Sequence, residues 1–242
     1  MERCVTQINQ GIDWSRQLRD SLSKVVTADS VTETDGKVLL RVRFAGDAAV
    51  NNLTDLKEWS KTWWEIGRGI SIAHGQSPEA ISVVGASKGS IIVALLTASE
   101  IAATVSGIIL SALKVAEKYY EIRRKAQEVR AMELSNDKAE KALEAEAASY
   151  KANGVEEIVR ATVAELKVEQ GDQVNELTSA VKKLVDFITK GGEVDFVMAI
   201  DEGRQADSEA DSQGLERSEL RVRFQEVRRL EREVRQLEHH DP

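Results

Sequence analysis

The chain has 242 residues with a formal net charge of −8 and a sequence pI near 5.2, which argues against a dedicated nucleic-acid binder, since such proteins carry a net basic face. Charged residues make up 31%, aromatic residues 5%, and there are two prolines, the composition of long helices rather than of a sandwich or barrel. Cys4 is the only cysteine, so no intrachain disulfide can form and a reducing, cytoplasmic setting is the simplest expectation.

The first residues, Met1-Glu2-Arg3-Cys4, lead into Asp13, Arg16 and Arg19 without an apolar h-region, so no signal peptide is expected. Ile8, Ile12, Leu18, Leu22 and Val25 fall on one face and predict a helix within residues 1–35. Asp35-Gly36 marks a tight turn, and the stretch before it is a candidate hairpin partner for the strand beyond it. A small α+β head is expected over 36–97. It begins with a strand that sets Val38, Leu40, Val42 and Phe44 against Lys37, Arg41 and Arg43. A helix then fits Leu53 to about His74, with Leu56, Trp59, Trp63, Ile66 and Ile70 as its apolar stripe. Asn51-Asn52 would cap it and Gly75 would stop it.

Ile81 to Val84 and Ser90 to Leu95 read as two short strands joined through Gly85-Ala86-Ser87-Lys88-Gly89. With Val194 to Ile200 as a returning strand (193–200), the order is that of a split βαβ, ferredoxin-like unit. Between these parts, residues 98–192 are predicted as a helical stalk or bundle. Its first seam is Ile101, Val105, Ile108, Ala112, Val115, Tyr119, Ile122, Ala126 and Val129, alternating spacings of four and three. A break is expected at Ser135-Asn136-Asp137, a helix stop at Asn153-Gly154, and a resumed heptad through Val174, Leu177, Val181, Leu184 and Ile188. Residues 201–214 read as an acidic linker. In 215–242, Leu220, Val227, Leu230, Val234 and Leu237 form a narrow coiled-coil seam, interrupted by Arg223 and expected to dock on a partner rather than on the chain's own head.

Several features could carry chemistry. Gly85 to Gly89 matches G-x-S-x-G, the turn that exposes a serine nucleophile in α/β-hydrolases. One strong strand precedes it where several βα units are needed, His74 lies upstream, and His239 and His240 are the only later histidines. A hairpin turn is the simpler reading. Lys88 precedes Gly89 rather than following it, so no phosphate loop is formed, and the three histidines and one cysteine show no metal-ligand spacing. Residues 89–113 are apolar over a bilayer's thickness, with Ala103, Gly107 and Ser111 recurring at fours. Against a span stand the capping box Thr97-Ala98-Ser99-Glu100, which would start a helix inside the run, and Glu100 itself, which a span would have to bury in lipid.

The segment Ile81-Ser82-Val83-Val84-Gly85-Ala86-Ser87-Lys88-Gly89-Ser90-Ile91-Ile92, with an apolar helix and Glu121-Ile122-Arg123-Arg124 after it, resembles small α+β adaptor modules of bacterial conflict, phage-defence-like systems. The resemblance spans about residues 36–134. It implies a non-catalytic oligomerising or adaptor part, with a membrane link as one option, and carries over no active-site residue. The expectation is therefore a helix-dominated α+β protein acting as a non-enzymatic, self-associating adaptor or structural protein, without cofactor or metal. Its two rivals are a membrane-inserting effector using residues 89–113 and a serine hydrolase with Ser87 as nucleophile.

Overall fold

Period-two alternation is enough to place the first strand. In a computed structural model, which describes residues 37–87, 91–131, 137–169, 171–197 and 211–239, Lys37–Arg43 forms β1. Val38, Leu40 and Val42 are buried on one face, and Lys37 and Arg41 are exposed on the other. A 3-10 turn, Gly46–Ala48, leads to α1 (Leu53–Ala73). The side-chain oxygen of Asn52 accepts from the N–H groups of Thr54 (2.8 Å) and Asp55 (3.0 Å), and Gly75 leaves the helix at φ 67°. Both ends match the reading of the residues.

Beyond a second 3-10 turn, Pro78–Ala80, come β2 (Ser82–Ser87), β3 (Ile92–Ala98), α2 (Ser99–Ala131), α3 (Asp137–Leu166), α4 (Gly171–Ile188), β4 (Glu193–Val197) and α5 (Asp211–His239). The sheet order is β2-β3-β1-β4, antiparallel throughout, with Leu40 opposite Leu95 on one side and Phe196 on the other. This is the split βαβ arrangement on a helix-dominated α+β fold, and Glu193–Val197 supplies the returning strand.

One sheet face, bearing Val38, Leu40, Val42, Val194 and Phe196, joins a single core with apolar residues of all five helices. At its centre the Phe187 ring meets Trp59, Trp63 and Phe44 edge-on at 5.2, 5.1 and 5.6 Å between centroids. The helices of 98–192 fold back on one another, as a continuous seam demands. Two glycines set how closely. A Cβ on Gly69 of α1 would lie 2.5 Å from the Glu176 carbonyl oxygen of α4, and one on Gly154 of α3 would lie 2.5 Å from a methyl of Val115 in α2.

Gly154 corrects one expectation. Asn153-Gly154 does not end a helix; α3 runs through it, because the missing side chain makes room for Val115 at the α2–α3 crossing. The capping box is a second correction. Thr97 belongs to β3, paired with Val38, and its buried hydroxyl has no hydrogen-bond partner; α2 starts at Ser99. A third concerns the acidic linker, whose last residues from Asp211 are already helical. The predicted N-terminal helix and hairpin, residues 198–200 of the returning segment and residues 201–210 of the linker lie outside the described residues.

Candidate functional site

The predicted seams come first, because their covering decides what surface remains. Ile101, Val105, Ile108, Ala112, Val115 and Ile122 are buried and Tyr119 and Val129 half-buried, packed chiefly against α3 and α5 of the same chain. In α5, Leu220, Val227, Leu230 and Val234 are buried and Leu237 half-buried, against α2 and β4. Within the chain, then, its own helices cover the first seam, and the C-terminal helix, expected to dock on a partner, lies against α2 and β4. Heptad spacing requires a cover but does not say whose.

The α5 helix does more than bury a stripe. Phe224, Arg228, Glu231 and Arg235 step along it at spacings of four, three and four and meet β4 residue by residue. Phe224 stacks on Phe196 at 4.5 Å and 5°. Arg228 donates to the Asp195 carboxylate (2.6 Å) and to the Phe196 carbonyl (2.7 Å), and Glu231 accepts the Val194 N–H (2.9 Å). Arg235 pairs with Glu193. The outward Val194 N–H and Phe196 carbonyl of β4 are thus answered by side chains of α5. Burial pushes the Glu231 carboxyl up to about 7, with Glu193 and Asp195 adding to the rise and the Val194 N–H and Arg235 opposing it. Arg223, which breaks the apolar row, donates to the Ala103 carbonyl (3.1 Å) beside Gly107. The small-residue row of α2 is therefore where α5 lies.

The opposite edge has a different chemistry. β2 pairs with β3 on one side, and among the described residues no strand pairs with its other side. Its residues Ser82 to Ser87 carry no charge, and Val83 and Val84 are 69% and 40% exposed. A bulge between Val83 and Gly85 bends it locally.

Between β2, the adjoining sheet face and α1 lies an apolar cavity of about 330 Å³. Leu40, Val42, Val93 and Leu95 form one wall, and Trp59, Trp63 and Ile66 form the other. At its rim Arg68 sits over the ring of Trp64 (5.4 Å) and pairs with Glu176 (3.1 Å). The indole N–H of Trp63 is buried without an acceptor. The tryptophans were readable as core or interface anchors; the gap beneath them was not, because a stripe names a buried face without its separation from the next layer.

The catalytic candidates are not brought into one site. Gly85 to Ser87 lie in β2 and the chain returns antiparallel as β3, so no helix comes after the motif as an elbow would require. His74 Nε2 lies 2.9 Å from the Thr104 hydroxyl. Burial lowers the His74 pKa, with Glu100 and Glu165 opposing. Tyr120, donating to the Thr189 carbonyl at 3.0 Å, is pushed up by burial and stays a neutral donor. The α2 helix is long and apolar enough to cross a membrane by length and composition, and its most apolar stretch is mostly buried within the chain. No protein-family model, curated protein or solved structure matches the chain.

Proposed function

We propose that the chain is a non-enzymatic adaptor that self-associates by pairing β2 with β2 of a second copy, antiparallel about a two-fold axis. The observation that supports this is the inequality of the two sheet edges. Natural sheets blunt exposed edges with charges, prolines or a covering helix. The β4 edge has a covering helix with charged side chains on it, whereas Ser82 to Ser87 has neither charge nor proline and exposes two valines. An uncharged strand meets its own copy without like-charge repulsion, and a two-fold pairing closes after one partner. Gly85, Ala86 and Ser87, beyond the bulge, give the regular stretch for such a ladder.

Self-association through the α2 seam is no part of this proposal, since that seam is spent inside the chain. The rival in which residues 89–113 enter a bilayer would require withdrawing Ile101, Ile109 and Leu113 from a core where each is at most 2% exposed. Sedimentation equilibrium from low to high micromolar protein tests the proposal. A dimer is expected for the wild type and a monomer for Val84→Lys, which places a like charge in each edge; a wild type that stays monomeric throughout contradicts it.

A further inference from the structure

We propose that the groove between α1 and the β2 edge takes an extended, acidic peptide of a partner protein, added to β2 as a strand with its apolar side chains under α1. The inference shares the β2 edge with the pairing proposed above but stands on observations of its own. The first is the backbone. Among the described residues no strand pairs with the outer side of β2, which presents six residues without charge or proline. The second is the groove of about 330 Å³ beside that edge. Val83 of β2 and Leu56 and Trp64 of α1 line it and are 69%, 39% and 56% exposed, so its mouth is open and apolar. Strand addition needs both parts: the main chain of the edge supplies hydrogen bonds, and alternate side chains of the incoming peptide enter the groove.

The lip on the α1 side sets the charge of the peptide. Trp64 and Arg68 line the groove, and the exposed Lys61 and Lys57 lie one and two turns before them on the same side of the helix. Arg68 is paired with Glu176. Of the three carboxylates of α1, Asp55 accepts the Asn51 N–H and Glu65 pairs with Lys183 (3.1 Å), which leaves Lys57 and Lys61 beside Glu58 alone. Glu79, next to the lining Pro78, accepts from the Ser77 hydroxyl. The lip is therefore net positive in a chain of net charge −8, and it attracts acidic side chains flanking the apolar ones. An anionic bilayer also attracts lysine and tryptophan, but it calls for apolar side chains that protrude and offers no partner to a strand edge. A concave mouth beside an unpaired edge fits a strand.

Fluorescence anisotropy of the labelled peptide Glu-Ser-Val-Ser-Leu-Ser-Glu, titrated with the full chain, tests this, with Lys-Ser-Val-Ser-Leu-Ser-Lys as the control. Saturable binding is expected for the acidic peptide and binding weaker by about tenfold or more for the control. The double variant Lys57→Glu, Lys61→Glu should reverse that order, and Trp64→Ala should weaken both peptides about tenfold. All three positions are exposed, so melting should be unchanged in both variants. Sedimentation separates this proposal from the β2–β2 pairing. Saturating acidic peptide should convert a wild-type dimer to monomer, because both need the same edge; a wild type that is monomeric throughout removes the pairing and leaves the titration to decide. Absence of saturable binding, charge reversal without effect on the preference, or a dimer that keeps its mass with peptide bound overturns the proposal. Capture by phosphatidylserine vesicles without binding of the peptide overturns it in favour of a membrane.

Discussion

The two edges of the sheet differ in composition and are treated in opposite ways. Along β4, the C-terminal helix lays an aromatic ring on Phe196, an arginine on its carbonyl and a glutamate on the Val194 N–H, so that the edge becomes part of the interior. Along β2, the only lateral neighbour described is β3, and valines face outward. Exposed backbone donors and acceptors are a template for another strand, so closing one edge directs association to the other. The C-terminal helix closes the β4 edge and, in the pairing proposed, takes no part in the contact.

That contrast can be broken from the closed side. Removing residues 211–242 strips Leu220, Phe224, Val227, Leu230 and Val234 from their places. At ~1.5–3 kcal/mol for each large apolar side chain, the loss rivals the stability of a whole domain. Cooperative melting, monitored by circular dichroism, is expected to disappear. A point version is Val227→Asp, which buries an unpaired charge at a fully enclosed position and should cost about 4 kcal/mol in denaturant unfolding. Val222→Asp, on the exposed side of the same helix, should change stability by less than about 0.5 kcal/mol.

Glu231 makes the closure sensitive to pH. Its carboxyl ionises near its ordinary value in the unfolded chain but only at about 7 in the folded one. Over that interval the folded state holds more protons, so this group's contribution to stability is full below the ordinary carboxylate value, falls as pH rises to about 7, and is constant above. Glu231→Gln retains an acceptor for the Val194 N–H and removes the charge. It should raise stability at pH 8 by roughly 1–3 kcal/mol and leave it nearly unchanged near pH 4, as measured by urea unfolding at both. His74 pulls the other way, its lowered pKa costing stability as pH falls below 6.5, and the Gln variant leaves that dependence in place. Smallest in stability is Val84→Lys, expected within about 0.5 kcal/mol because its site is solvent-exposed, yet it should abolish the dimer.

Much of this fold was readable from local patterns. Alternation at Val38, Leu40 and Val42, the Asn52 cap, the Gly75 stop and the return of Val194 and Phe196 were enough for the split βαβ sheet, because each depends on a residue's near neighbours. What failed depends on tertiary neighbours. Asn153-Gly154 has the chemistry of a helix end, but Val115 needs the space the glycine leaves. Thr97 and Glu100 have capping spacing, but pairing with Val38 keeps Thr97 in a strand. The residues of the two heptad seams are largely buried within the chain, a cover that the spacing alone does not specify, since it is the same for an intramolecular bundle and an oligomer. One signal for the C-terminal helix was available. Arg228, Glu231 and Arg235 repeat at spacings of three and four beside Phe224, a polar stripe parallel to the apolar one, as a helix lying along a strand edge requires.

Amide hydrogen exchange, resolved by residue and measured at two protein concentrations, tests the central contrast most directly. The Val194 amide, held by Glu231, should be as protected as the core and indifferent to concentration. The amides of Gly85, Ala86 and Ser87 that face away from β3 should exchange freely in dilute protein and become protected as concentration rises. Protection of those β2 amides that does not change with concentration, or rapid exchange at Val194, would contradict the account.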